Sequence, residues 1–141
     1  MDTSFFSHLN WLAVAVATVA YFMLGALWYS KALFANSWIK STGVDMNNPD
    51  AKKGVGGIML TTFILEFIIC IGLGILVYRL NLVGGFMSGV KLGVLTGVCF
   101  SGTVIFISYM YQSKAKPLGF IDGGYHLVGN IIAAVILCLW H

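Results

Sequence analysis

Four long apolar runs, at residues 9–29, 55–78, 86–111 and 120–140, constrain this chain more than any other feature. Crossing ~30 Å of hydrocarbon takes about 20 helical residues, and each run has them. A backbone in lipid must satisfy its own N–H and C=O groups, so only helices and closed barrels span membranes. A barrel needs short segments of alternating polarity, and none is present. The spacing predicts an all-α fold: an integral membrane four-helix bundle of four transmembrane helices. The short segment between the second and third runs predicts a tight antiparallel hairpin there.

Composition agrees with a lipid surrounding. The chain has 141 residues, 59% hydrophobic and 9% charged, whereas a soluble domain carries roughly 25% charge. Its length allows a single transmembrane domain, residues 1–141. The formal charge is +3, with basic residues scattered through loops, so a nucleic-acid partner has no support. Cys70, Cys99 and Cys138 lie far apart inside apolar runs and form no C-x-x-C pair, so they read as small buried hydrophobes. Asp2 precedes any Lys or Arg, and the first basic residue is Lys31. A secretory signal opens with positive charge, so the first run is read as a retained span.

The connecting segments set an orientation. Residues 30–54 form the longest loop, with room for an interfacial helix. Phe34 and Trp38 are four apart and would share a helix face suited to shallow insertion. With Trp28 and Tyr29 they are read as interface anchors, as are Trp11, Tyr78, Tyr109, Tyr111 and Trp140. Any one of these aromatics can equally pack inside the bundle. Asn47-Asn48-Pro49-Asp50 reads as a turn and helix start. Residues 30–54 and 112–119 hold Lys31, Lys40, Lys52, Lys53, Lys114 and Lys116, while Arg79 and Lys91 fall toward the other side. The positive-inside rule then puts loops one and three in the cytoplasm and both termini outside.

Helix packing has a sequence signal. Gly89, Gly93, Gly97 and Ser101 recur every four residues and form a ridge of small side chains. Lipid supplies no hydrophobic drive between helices, so close backbone approach has to hold them together. Ala13, Ala17 and Gly25 in the first run, and Gly129 and Ala133 in the fourth, repeat this more weakly. The ridge could serve one chain or join several; a homo-oligomer is the expected assembly.

Chemistry, if any, concentrates on a few polar groups at membrane depth. Glu66 lies near the middle of the second run, with Thr62 one turn away on the same face. Ionisable groups at that depth are costly and face the bundle interior. Asp122, His126 and Asn130 are spaced by four, so they share one face of the fourth helix. These five residues are the candidate binding or proton site; they could equally be polar glue that fixes helix register. No catalytic residue is assigned, because no nucleophile–base arrangement is recognisable. No cofactor is implied, and the spacing matches no metal motif.

The stretch Gly25-Ala26-Leu27-Trp28-Tyr29-Ser30-Lys31-Ala32-Leu33-Phe34-Ala35-Asn36-Ser37-Trp38 resembles the signature of small bacterial membrane proteins, the domain-of-unknown-function family 1761. There the first helix ends in a Gly-x-x-Trp-Tyr-Ser-Pro-x-Leu-Phe-like run followed by another Trp. Gly124-Tyr125-His126-Leu127 and Leu139-Trp140 are also similar. The sequence departs at Lys31, where the family often has Pro. The resemblance implies a four-helix membrane protein and no established activity, and the expected location is the bacterial inner (cell) membrane. The expected role is binding or passing a proton, cation or small solute of unknown identity at the polar site. The alternative is a structural or accessory membrane protein acting through helix association.

Overall fold

The computed structural model describes residues 5–45, 48, 53–82 and 84–140, and among these all regular structure is helical. A short α1 (Phe5–His8) leads into α2 (Trp11–Trp28), then α3 (Ala35–Thr42) and α4 (Val55–Arg79). The third span is one continuous helix in three parts: α5 (Gly85–Thr96), a π-helical segment (Gly97–Gly102) and α6 (Thr103–Tyr111). The chain closes with α7 (Lys116–Leu139). Four helices are long and apolar enough to cross a membrane: α2, α4, the third span and α7.

Local chemistry explains the boundaries. Asn10 caps α2 by accepting from the Ala13 N–H, and its Nδ2 donates to the Trp140 carbonyl, tying the start of α2 to the end of α7. Helices α4 and α6 both end on a non-glycine residue in the left-handed region, Asn81 (φ 50°) and Ser113 (φ 52°). In each case the N–H of that residue and of the one after it return to the last turn: Asn81 and Leu82 to the carbonyls of Tyr78 and Val77, Ser113 and Lys114 to those of Met110 and Tyr109. Pro117 sits in the first turn of α7, where its missing N–H costs nothing. The fourth helix therefore starts ahead of the apolar run that announced it. Of the expected turn Asn47–Asp50, only Asn48 falls among the described residues; the described part of α4 begins at Val55.

Helix α7 is the axis of the bundle. Half of its apolar window (50%) is buried, against 28%, 28% and 22% for the other three spans. Both α2 and α4, α5 and the π segment all pack on it. The glycine ridge of the third span makes the closest of these contacts. A Cβ at Gly89 would meet the backbone of Val135, one at Gly93 the backbone of Ile131, and one at Gly97 the Cα of Leu127 at 2.8 Å. As one helix advances by four residues its antiparallel partner retreats by four, so the ridge is spent inside the chain. Gly129 takes the flat ring of Tyr21 in the same way, and Gly124 faces the indole of Trp28 at 3.2 Å.

A tight antiparallel hairpin is the expectation for the second and third apolar helices. A short connection joins them, but α4 packs on α2 and α7 while α5 packs on α7. The glycines draw α5 to α7, and a groove lined by Ile69, Gly72, Leu73, Leu76, Thr96, Phe100, Ser101 and Asn130 separates α4 from the π segment.

Candidate functional site

The polar residues of the interior form two clusters joined by aromatic rings. In the first, Glu66 projects from α4 into the bundle at 1% exposure. The Tyr125 hydroxyl on α7 donates to its Oε1, and Oε2 has no hydrogen-bond partner among the described residues. Tyr125 stands edge-on to Tyr21 and Tyr29, with centroids 5.5 Å away in both cases. Gly25 makes room for it, since a Cβ there would lie 3.0 Å from the Tyr125 oxygen.

A hydrogen-bond chain begins beside this pair. The Tyr21 hydroxyl lies 2.9 Å from Nδ1 of His126 and 3.2 Å from the His126 carbonyl. Asn130 donates through Nδ2 to that carbonyl at 2.6 Å and to the Tyr21 oxygen at 3.1 Å. Its Oδ1 accepts from Thr96 at 3.1 Å. When Asn130 donates to Tyr21 and Tyr21 donates to Nδ1, the imidazole is neutral with its proton on Nε2. The chain therefore runs Thr96–Asn130–Tyr21–His126, across α5, α7 and α2.

The second cluster lies one turn toward the start of α7. Asp122 accepts from Tyr29 at 2.7 Å on Oδ1 and from Tyr109 at 2.6 Å on Oδ2. Both oxygens are satisfied, and the carboxyl holds the end of α2 and the end of the third span against α7. Burial, and then the Asp122 carboxylate, hold the Tyr29 phenol well above its ordinary pKa. Trp28 closes this end by donating through Nε1 to the Ile121 carbonyl at 3.0 Å. Phe34 packs on Trp28 with centroids 4.8 Å apart, and Trp38 meets Tyr29 at 6.1 Å.

The structure brings some of the residues expected from sequence together. Glu66 is brought to Tyr125, the neighbour of His126, while Asn130 sits with Thr96 and Tyr21. His126 and Asn130 share one chain, and Asp122 belongs to the other cluster. Thr62 is half-buried and joins none of these hydrogen bonds. Trp28, Tyr29, Phe34 and Trp38 pack on one another and on α7. Tyr21, Tyr125 and Thr96 were not among the expected site residues. A signal for Tyr21 did exist: a phenol in the middle of an apolar run must find a partner for its hydroxyl. No three His, Cys, Asp or Glu side chains come close enough to hold a metal ion among the described residues.

An α-helical chain with four membrane-length helices, gathered on a central helix around a buried carboxylate–tyrosine pair, defines the class. The chain belongs to the family described as "Protein of unknown function (DUF1761)", whose model matches residues 12–138. No curated protein and no solved structure matches it.

Proposed function

We propose that this chain is a multi-pass membrane protein that binds a proton or a small cation at Glu66, inside its bundle. The observation that carries this reading is the Glu66 carboxyl: buried, in the second span, with Oε2 lacking a hydrogen-bond partner among the described residues. An unpaired carboxylate oxygen in an apolar interior is expensive, and a proton or cation on that oxygen removes the cost. The neighbouring Tyr21–His126 pair supports exchange, because imidazole and phenol both accept and donate protons. Asp122 then marks the cytoplasmic mouth, with loops one and three in the cytoplasm and both termini outside, as the lysine distribution favours. In this reading the chain works as a homo-oligomer, because four thin helices bury little surface alone. The accessory reading has less support, since the glycine ridge it relies on faces α7.

The test is labelling by a hydrophobic carbodiimide, which attacks protonated carboxyls in apolar surroundings. Membranes carrying the protein are labelled across a pH series, with Glu66→Gln as control. Labelling at Glu66 that a cation or a rise in pH suppresses supports the reading. A folded protein that stays unlabelled at every pH would sink it.

A further inference from the structure

The groups that face Glu66 come from three helices. Cys70 lies one turn further along α4, beside Thr18 of α2. Tyr21 reaches in from α2 and Tyr125 from α7. Tyr29 touches the site only through the ring of Tyr125, and His126 only through Tyr21. His8, on the short α1 that packs on α4, stacks on Tyr78 at the far end of that helix. Among the described residues no Lys, Arg or His forms an ion pair with Glu66. The carboxyl is therefore enclosed by phenols, a hydroxyl and a thiol, with no positive charge built in to match it.

The oxygens around the carboxyl are already in use. The Tyr125 hydroxyl donates to Oε1. The Tyr21 oxygen lies 2.9 Å from Nδ1 of His126 and accepts from Asn130 at 3.1 Å. The Thr18 hydroxyl donates to the Val14 carbonyl at 2.8 Å. Further off, Asn130 Oδ1 accepts from Thr96, and the two Asp122 oxygens accept from Tyr29 and Tyr109. Among these side-chain oxygens Oε2 alone carries no hydrogen bond. A hard metal cation takes about six oxygen ligands at roughly 2.0–2.6 Å. It would have to strip Tyr125, Tyr21 and Thr18 from their present partners, and the Cys70 thiol is a soft ligand that does not replace them. A proton needs one oxygen.

We infer that the ligand of this site is a proton alone, one per chain, held on Oε2 of Glu66. The inference rests on the binding role proposed above and narrows it from proton or cation to proton. In the binding step hydronium gives up a proton and becomes water, and one O–H bond forms on Oε2. No other bond changes, because Tyr125 goes on donating to Oε1. The carboxyl becomes neutral, which removes the cost of a charge in an apolar interior; a divalent cation would leave a net positive charge there. Glu66→Gln copies the protonated form, since its amide oxygen can accept from Tyr125 while the NH₂ stands where Oε2–H would be.

Carbodiimide labelling of Glu66 across a pH series tests this when it is run in sodium, potassium, magnesium and choline chloride at equal ionic strength. Labelling is expected to fall as pH rises, along the same curve in all four salts. A curve that moves to lower pH in one metal salt, by about one pH unit per tenfold rise in that cation, is one-for-one competition. It overturns the inference and leaves the binding role of Glu66 standing. Labelling that ignores both pH and salt overturns it too, since the proton would then be a fixed part of the fold. A folded protein that stays unlabelled at every pH removes the binding role and the inference together. Thermal unfolding of the unaltered protein and of Glu66→Gln in the same salts gives a reading without the reagent. The difference between their Tm values should depend on pH and not on the cation. A rise in Tm with one metal cation, present in the unaltered protein and missing in Glu66→Gln, overturns the inference.

Discussion

Tyr125 donates its hydroxyl to Glu66 across the α4–α7 seam, from the position next to His126. Removing that donor leaves both carboxyl oxygens unmatched. Tyr125→Phe is therefore expected to cost about 1–3 kcal/mol, the usual cost of a buried polar group losing its partner. Glu66→Gln keeps an acceptor for Tyr125 and should cost less than about 1 kcal/mol. Reversible unfolding in mixed micelles, followed by circular dichroism, measures both. Equal losses for the two variants would count against this ordering.

The contact of Gly93 with the Ile131 backbone is the most sensitive point of packing. A methyl group at Gly93 meets main chain, which cannot swing aside, whereas one at Gly72 meets nothing within 4 Å. Gly93→Ala should destabilise by about 1–3 kcal/mol or more through overpacking, and Gly72→Ala should be nearly neutral. The same unfolding assay compares them, and a neutral Gly93→Ala would mean that α5 and α7 can separate freely.

Tyr21 and Gly129 should behave as a coupled pair. The ring of Tyr21 occupies the space a Cβ on Gly129 would need. Gly129→Ala alone is expected to be strongly destabilising, and combining it with Tyr21→Ala should recover part of the loss. A double-mutant cycle is expected to give a coupling of about 0.5–3 kcal/mol. Strict additivity would contradict the contact.

Asp122 accepts from two phenols, and an amide in its place offers only one oxygen. Asp122→Asn is expected to cost about 1–3 kcal/mol. Tyr29 adds a pH signature, because burial and Asp122 raise its folded-state pKa. The folded protein then holds this proton more tightly than the unfolded chain. The contribution is intact below the free phenol value of about 10 and is lost as pH rises beyond it. Stability measured above that value should fall less steeply in Tyr29→Phe than in the unaltered protein.

Orientation is open to a fusion test. A reporter active only in the cytoplasm should be silent at the C-terminus and active when fused after Ser113. The reverse pattern would invert the topology and move Asp122 to the outer face.

The number of membrane-length helices, the place of Glu66 near the middle of one of them and the ridge at Gly89, Gly93 and Gly97 are all legible in the sequence. Length, hydropathy and four-residue spacing act along a single helix, so one strand of text contains them. The face shared by Asp122, His126 and Asn130 is legible for the same reason. Their partners are not, because a partner depends on which helices touch and at what register. Only the tertiary structure decided that the ridge packs on α7, that Glu66 meets Tyr125, that Asp122 is held by Tyr29 and Tyr109, and that α4 stands off the π segment. Helices that are apolar all round look alike to their neighbours. Helix order is therefore set by where backbones can approach most closely and where buried polar groups find partners, and both are properties of pairs of surfaces.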